Sequence, residues 1–256
     1  MFPGMPLVST PAIVLSTLKY SESSKIVRLA TRDLGVHSAI AKGARRPRSR
    51  FGAALQVLSE GQAQLYVRDH RELHTLAAFD LARVPVRLAE DLDRYAAASV
   101  LAEIMVRFAP ADSHTESFDA LRHALALLET VPAPEVRALG IRAVWRLVSV
   151  LGFAPALDVC VRDGAPLPAG PLPFSAPEGG ALCATCAGPT GGTRLPADAR
   201  DALALLLDPA ATLPALDTRH AAAHERLAAR YVRWHLADGA ELPALEFWTR
   251  RPWRSA

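Results

Sequence analysis

Cysteine, lysine and aromatic side chains are all scarce in this sequence. There are three cysteines, three lysines among 29 cations, and 6% Phe, Trp and Tyr over 256 residues. Three cysteines cannot build a full disulfide framework, so cross-links are not what holds the chain together. No run approaches the roughly eighteen uninterrupted apolar residues of a membrane-spanning helix. The opening residues, Met1 to Thr10, lack both the basic and the apolar segment of a secretory signal. A cytoplasmic protein with no membrane partner is therefore expected. No P-loop, dinucleotide-binding glycine fingerprint or nucleophile elbow occurs, which removes the commonest nucleotide-dependent and hydrolytic classes.

What is present is enough apolar material for a core. Half of the residues are hydrophobic and 21% are charged, which excludes wholesale disorder. The net charge of +3 hides an asymmetry: residues 1–80 carry eleven Lys/Arg against six Asp/Glu, and the remainder carries eighteen against twenty. A basic module thus precedes a mildly acidic body. The preference for arginine over lysine carries no functional reading by itself.

Residues 10–80 read as short strands: Ala12–Leu15, Lys25–Thr31, Gly35–Ala41, Gln62–Arg68 and Glu72–Leu76. Turn signals at Asp33-Leu34-Gly35, Ser59-Glu60-Gly61 and Arg68-Asp69-His70 separate several of them, and the pattern predicts a small antiparallel barrel. From residue 86 the apolar period changes to three and four. One helix is predicted from Leu88 through Phe108, ending at Pro110. A second runs through Phe118, Leu121, Leu125 and Leu128, capped by Ser117 or Ser113. A third carries Val136 to Leu151 and stops at Gly152. Leu203–Leu207 and the stretch from Thr218 to Leu236 look helical again, and complementary apolar stripes predict a bundle. Trp145 and Trp234, both within helical segments, are read as core. Residues 154–196 hold eight of the twenty prolines, too many breakers for a regular element.

That stretch contains all three cysteines. Cys160-Val161-Arg162-Asp163-Gly164 precedes Cys183-Ala184-Thr185-Cys186-Ala187-Gly188 by nineteen residues, counted from Gly164 to Leu182. The spacing fits a zinc ribbon with Asp163 standing where a fourth cysteine is usual. Each pair with its glycine predicts a tight knuckle whose amides point at sulfur. Zinc accepts carboxylate oxygen, so Cys160, Asp163, Cys183 and Cys186 are a chemically sound ligand set. A histidine from elsewhere or Asp158 competes for the fourth place. The plainer alternative is three structural or redox cysteines with Asp163 as a turn residue. A catalytic zinc is not supported. His70-Arg71-Glu72 lies over a hundred residues from Cys183, Leu182 stands where a deaminase needs proline, and His220 and His224 lack the metalloprotease glutamate.

Lys42, Arg45, Arg46, Arg48 and Arg50 place five cations and no acid within nine positions, directly after a predicted strand. Gly43 and Pro47 keep the segment out of a helix, so it reads as an exposed loop able to follow a phosphate backbone. The alternatives are a solvated loop or a patch for an acidic protein. Tyr20, Phe51 and Tyr66 are the only interleaved aromatics, so phosphate contact is the stronger claim and base stacking the weaker. The segment Phe247-Trp248-Thr249-Arg250-Arg251-Pro252-Trp253-Arg254 suits an interface or a single strand. Its plainer reading is one Trp packed on the body and a solvated tail.

Several of these residues carry a resemblance. Ala12-Ile13-Val14-Leu15, Tyr20 with Glu22, Thr31-Arg32-Asp33 with Gly35, and above all Ala41-Lys42-Gly43-Ala44-Arg45-Arg46-Pro47-Arg48-Ser49-Arg50 resemble the bacterial RecO family of recombination mediators. Leu151-Gly152-Phe153, Pro155, Leu157-Asp158 and Cys160, followed by Cys183 and Cys186, are similar to it as well. The resemblance spans residues 10 to about 190. It implies an α+β multidomain protein: an all-β OB-fold barrel at 1–80, an α-helical bundle at 81–153 and 197–256, and a zinc-finger insert at 154–196. It also implies no enzyme activity. The implied partners are single- and double-stranded DNA, RecR, and single-strand DNA-binding protein, which is displaced to help RecA. The implied activities are strand annealing and DNA repair, in a cytoplasmic, nucleoid-associated setting. The departure is Asp163, where the family usually has cysteine.

Overall fold

The structure, a computed structural model, describes residues 6–67, 71–188 and 192–254. The turn expected at Arg68-Asp69-His70 lies outside the described residues. The chain divides into two compact units, residues 1–90 with 101–129, and residues 91–100 with 130–256.

The first unit is built on five strands: β1 (Leu7–Lys19), β2 (Lys25–Thr31), β3 (Gly35–Ala41), β4 (Glu60–Tyr66) and β5 (Leu73–Arg83). They close into a barrel in the order β1-β2-β3-β5-β4. β1 is thirteen residues long because it serves two neighbours. Its first half pairs antiparallel with β4, from Leu7 opposite Tyr66 to Ile13 opposite Glu60. Its second half pairs with β2, from Ala12 opposite Thr31 to Lys19 opposite Lys25, with a bulge between Val14 and Ser16. The predicted strand covered only the apolar run Ala12–Leu15, whereas β1 also runs through Pro11. In a strand the N and C=O of one residue point to the same side, and Pro11 O accepts from Arg32 N at 3.0 Å. Its nitrogen therefore faces the end of β2 and no bond to β4 is lost.

The barrel is not wholly antiparallel. β5 enters between β3 and β4 and runs parallel to β3 over Ser38–Ile40 against Leu73–Thr75, while remaining antiparallel to β4. That closure is the Greek-key arrangement of the OB-fold. Alternate residues Val14, Val27, Leu29, Ala39, Leu65 and Leu76 point inward and form its core, joined by Phe51 and Leu55 from the loop after β3.

The helical stretch after the barrel breaks where one continuous helix was predicted. α1 (Val86–Glu90) and α2 (Leu92–Phe108) are separated by Asp91, whose Oδ1 accepts from Asp93 N at 2.9 Å and Arg94 N at 3.0 Å. An aspartate whose carboxylate accepts from the second and third amides of a helix is its N-cap, and Asp91 starts a new helix. α3 (Thr115–Thr130) belongs to the first unit. Neither predicted serine caps it. The Nδ1 of His114 accepts from Ser117 N at 3.3 Å, and Ser117 Oγ donates back to His114 O. Ion pairs Arg32–Asp119, Arg83–Glu129 and Arg122–Glu60 tie α3 to the strands.

The second unit packs α4 (Val136–Val150) against helices that follow a small cysteine-bearing insert. The insert holds strands β6 (Leu172–Ser175), β7 (Gly180–Ala181) and β8 (Thr193–Leu195), with the short helix α5 (Ala184–Ala187). Its antiparallel sheet has the order β7-β6-β8. Then come α6 (Ala197–Leu207), α7 (Thr218–Val232) and α8 (Pro243–Arg250). Trp145, Trp248 and Tyr231 are fully buried, and the Trp145 and Tyr231 rings meet edge to face at 5.1 Å. Cutting any of these aromatics to alanine costs about 3–5 kcal/mol. The expectation for Trp145 holds, but Trp234 is 61% exposed. It lies in a π-helical turn, Arg233–Ala237, that continues α7. The wider turn shifts the phase of residues beyond 232, so a side chain placed inward by a 3.6-residue period swings outward.

Candidate metal centre and nucleic-acid surface

Four potential ligand atoms, from Cys160, Asp163, Cys183 and Cys186, lie within 4.8 Å of one another. The first knuckle is a tight turn in which Gly164 N donates to Cys160 O and Cys160 N to Ala165 O, both at 2.8 Å. Gly164 has φ +72, the left-handed region that L side chains rarely adopt. In the second knuckle Cys183 caps α5, and Cys186 N donates to its sulfur at 3.3 Å. Amides thus point at sulfur, as the spacing predicts. The Oδ2 of Asp163 sits 3.1 Å from Cys186 Sγ and 3.4 Å from Cys183 Sγ. A tetrahedral zinc site with Zn–S of about 2.3 Å and Zn–O of about 2.0–2.2 Å has edges of about 3.5–3.8 Å. The four side chains fit one metal ion, and three sulfurs favour a soft one. Among the described residues, neither a histidine nor Asp158 joins the cluster.

The local electrostatics prepare an anionic oxygen. Asp163 Oδ1 accepts from Ala165 N at 3.0 Å. That bond, followed by the thiols of Cys186, Cys160 and Cys183, holds the carboxyl well below the usual carboxylate range. The same carboxylate, next to the Cys183 sulfur, pushes the Cys186 thiol up to about 12. Burial opposes ionisation of Cys160, but amides of Cys183, Asp163 and Arg162 outweigh it, so its pKa is lowered. A divalent ion bound here would supply the positive charge that lets all three thiolates coexist with Asp163.

Sequence reasoning missed what holds the knuckles together. Arg162, between the first two ligands, forks onto Glu178 at 2.5 and 2.9 Å and also donates to Cys186 O. It thereby links the first knuckle to the second and to the β6–β7 turn. No motif spacing marks Glu178, and only the position of Arg162 inside the knuckle hints at its part. Gly180 admits a second close approach: a Cβ there would fall 2.4 Å from Ala156 O. Val161 N then reaches Ala181 O at 3.0 Å. Leu182 and Ala187 pack beside Cys160 in a small apolar floor. From α7 and its continuation, Tyr231 Oη donates to Gly179 O at 3.2 Å, and His235 Nε2 lies 2.6 Å from Ala176 O.

The five cations of the basic segment all stand exposed on the loop that leaves β3. Turn bonds from Arg46 N to Gly43 O and from Ser49 N to Arg46 O shape it, and Arg45 N donates to Ser23 O. The guanidinium of Arg45 reaches Ser21 O at 2.6 Å, so the loop leans on the β1–β2 hairpin. Phe51 is buried in the barrel and Arg50 lies over its ring at 5.0 Å, which removes Phe51 from any stacking role. Tyr20 is 57% exposed and shares a shallow hollow with Lys42, Gly43 and Arg46. Sequence reasoning therefore located the cations, and the structure brings Tyr20 to them across the hairpin.

The segment at residues 247–254 is anchored, not solvated. Trp248 is buried, while Arg251 and Trp253 bond to Asp93 at 2.6 and 2.8 Å. Of that segment, Arg250 and Arg254 keep exposed side chains.

An OB-fold barrel bearing an arginine-rich loop, followed by a helical unit with a cysteine-rich cluster that could hold a metal ion, defines a class of nucleic-acid-handling proteins. The sequence matches the family description Recombination protein O N terminal over residues 5–85 and Recombination protein O C terminal over residues 89–242. DNA repair protein RecO from Anaeromyxobacter sp. (strain K) is 37% identical over 187 residues, 72% of each chain. DNA repair protein RecO from Symbiobacterium thermophilum is 35% identical over 211 residues, 80% of this chain and 81% of its own. DNA repair protein RecO from Frankia casuarinae is 34% identical over 257 residues, 94% of this chain and 99% of its own. The chain belongs to the recombination protein O family, a family of DNA repair proteins. Among the described residues no helix is long and apolar enough to cross a membrane.

Proposed function

We propose that this protein is a non-catalytic DNA-binding and strand-annealing mediator of homologous recombination. The observation that carries the reading is the loop of Lys42, Arg45, Arg46, Arg48 and Arg50, all exposed on an OB barrel with no acid among them. The loop neutralises phosphates and releases their counterions, which lowers the repulsion between two strands that meet on the protein. Base pairing then supplies the driving force and the fidelity. Family membership supports the finer parts of the reading: single- and double-stranded DNA as ligands, and RecR as partner. It also supports help to RecA on strands covered by single-strand DNA-binding protein, in the cytoplasm at the nucleoid. In this reading residues 1–80 bind DNA, the helices at 81–153 and 197–256 form the body, and residues 154–196 are a zinc finger. Zinc on Cys160, Asp163, Cys183 and Cys186 is a structural clamp.

A salt-titrated gel shift with single-stranded oligonucleotides tests it. Each phosphate neutralised adds about 0.7 to the negative slope of log K against log salt. Replacing Arg45, Arg46 and Arg48 by alanine weakens binding to all sequences alike and flattens the slope by up to about 2. An unchanged slope and affinity removes this loop from the DNA surface.

A further inference from the structure

The three thiols of the metal cluster are not equivalent. Cys160 is 1% exposed, set on the apolar floor of Leu182 and Ala187. Cys183 and Cys186 are only partly buried, which leaves them, and not Cys160, open to a small solute. With Asp163 in the place of a fourth cysteine, three thiols can form one disulfide at most, and burial selects the pair. Cys183 caps α5 and Cys186 sits in its first turn, so the two share one face. That is the spacing of Cys-x-x-Cys redox pairs. Their sulfurs lie within 4.8 Å of each other, and rotation of the two side chains brings them to the geometry of a disulfide. Once they are joined, only Cys160 and Asp163 remain as ligands, too few for a tetrahedral ion.

Release of a metal leaves the insert its shape. Arg162 forks onto Glu178 and donates to Cys186 O, while Gly164 N and Cys160 N close the first knuckle on backbone carbonyls. None of these bonds uses a sulfur. The knuckles therefore stay opposed without the metal, and reduction returns all four ligands to their places.

We propose that Cys183 and Cys186 are a site of reversible oxidation by hydrogen peroxide, closing into a disulfide that frees the metal while Arg162 holds the knuckles for its return. The inference rests on the metal clamp proposed above. On a divalent ion both sulfurs are thiolates, the form that attacks peroxide. The Cys183 sulfur bonds to one peroxide oxygen, the O–O bond breaks, and the departing hydroxide takes a proton to become water. The Cys186 thiolate then attacks the sulfenic sulfur of Cys183. The S–O bond breaks, and the second hydroxide leaves with a proton as water. Each sulfur gives up one electron and peroxide gains two. A dithiol reductant reverses the change by thiol–disulfide exchange.

The test uses the full chain loaded with zinc and treated with a small excess of hydrogen peroxide beside a weak zinc-sensitive dye. The dye should report release of all the bound zinc, and free thiols should fall from three to one. Peptide mass mapping should join Cys183 to Cys186 and leave Cys160 free. Dithiothreitol should restore the thiols and draw the zinc back from the dye. Arg162→Ala should form the same disulfide but regain zinc about tenfold more weakly after reduction; recovery equal to wild type removes Arg162 from the proposal. Zinc that stays bound with three thiols intact overturns it. So do thiols lost to sulfinic acid without a disulfide, or a disulfide that contains Cys160. If the untreated chain takes up no zinc, the clamp itself fails, and the inference with it.

Discussion

Arg137 and Glu225 form a two-pronged ion pair in the interior of the helical unit, Nε to Oε1 at 2.9 Å and Nη2 to Oε2 at 2.6 Å. The Glu225 side chain is 1% exposed and its partner 15%. Arg251 reaches the same carboxylate at 3.3 Å and Asp93 at 2.6 Å. Two guanidiniums and two acids thus join α4, α7, the start of α2 and the segment after α8.

Such a network is worth little against an apolar replacement of the same shape, but breaking it from one side strands a buried charge. Glu225→Ala is expected to destabilise the protein by about 3–5 kcal/mol, because Arg137 and Arg251 lose their shared acid. Urea unfolding measures it. A loss below about 1 kcal/mol would mean that water already screens the pair.

Acid loosens the same corner through Asp93. Burial alone raises this carboxyl, but hydrogen bonds from Arg254 and Trp253 and the charges of Arg251 and Arg254 outweigh it, leaving its pKa lowered. A depressed folded value means that stability is gained above the unfolded value of about 3.9 and lost as the pH falls through the folded one. Urea midpoints taken downward from pH 7 should fall below about pH 4 in wild type and less steeply in Asp93→Asn. Parallel curves refute the assignment.

At the metal cluster, Cys183→Ser is expected to lower metal content and make the two knuckles more open to proteolysis, since a metal would join Cys160 and Asp163 to Cys183 and Cys186 in addition to the Arg162 bridge. The barrel has its own core and stays folded.

Asp163→Ala should release metal to a chelator more readily than wild type. Asp163→Cys should hold it at least as well, because the formal charge is kept and a softer donor replaces oxygen. Competition against a zinc-sensitive dye reads both. Equal curves for wild type and Asp163→Ala take Asp163 off the ligand list.

β2 and β3 were legible to the residue, because β-branched alternation brackets an Asp33-Leu34-Gly35 turn. The knuckles were legible because a metal site needs fixed spacing. Long-range pairing was not. Nothing local in Leu73–Arg83 says that five residues past Leu76 still pair with β4 up to Glu60–Arg83. The role of Pro11 depends on which way its nitrogen faces, and the exposure of Trp234 on a π turn. Both are set by neighbours that the local pattern does not contain. Nothing in the local sequence marks Asp93, which becomes an anchor only through the return of Arg251.

That return sets an order of events. α2 begins at Leu92, yet Asp93 waits for Arg251, made 158 residues later. At a synthesis rate of about 5–20 residues per second, the gap lasts about 8–30 s. The strands and α3 are complete by residue 130, so the barrel can close on the ribosome while the first turns of α2 still lack their partners. During that interval the nascent chain is a finished barrel with an orphaned helix end. A cell that slows translation across the second unit lengthens the time for which that unpaired end stands open to chaperones and to other chains.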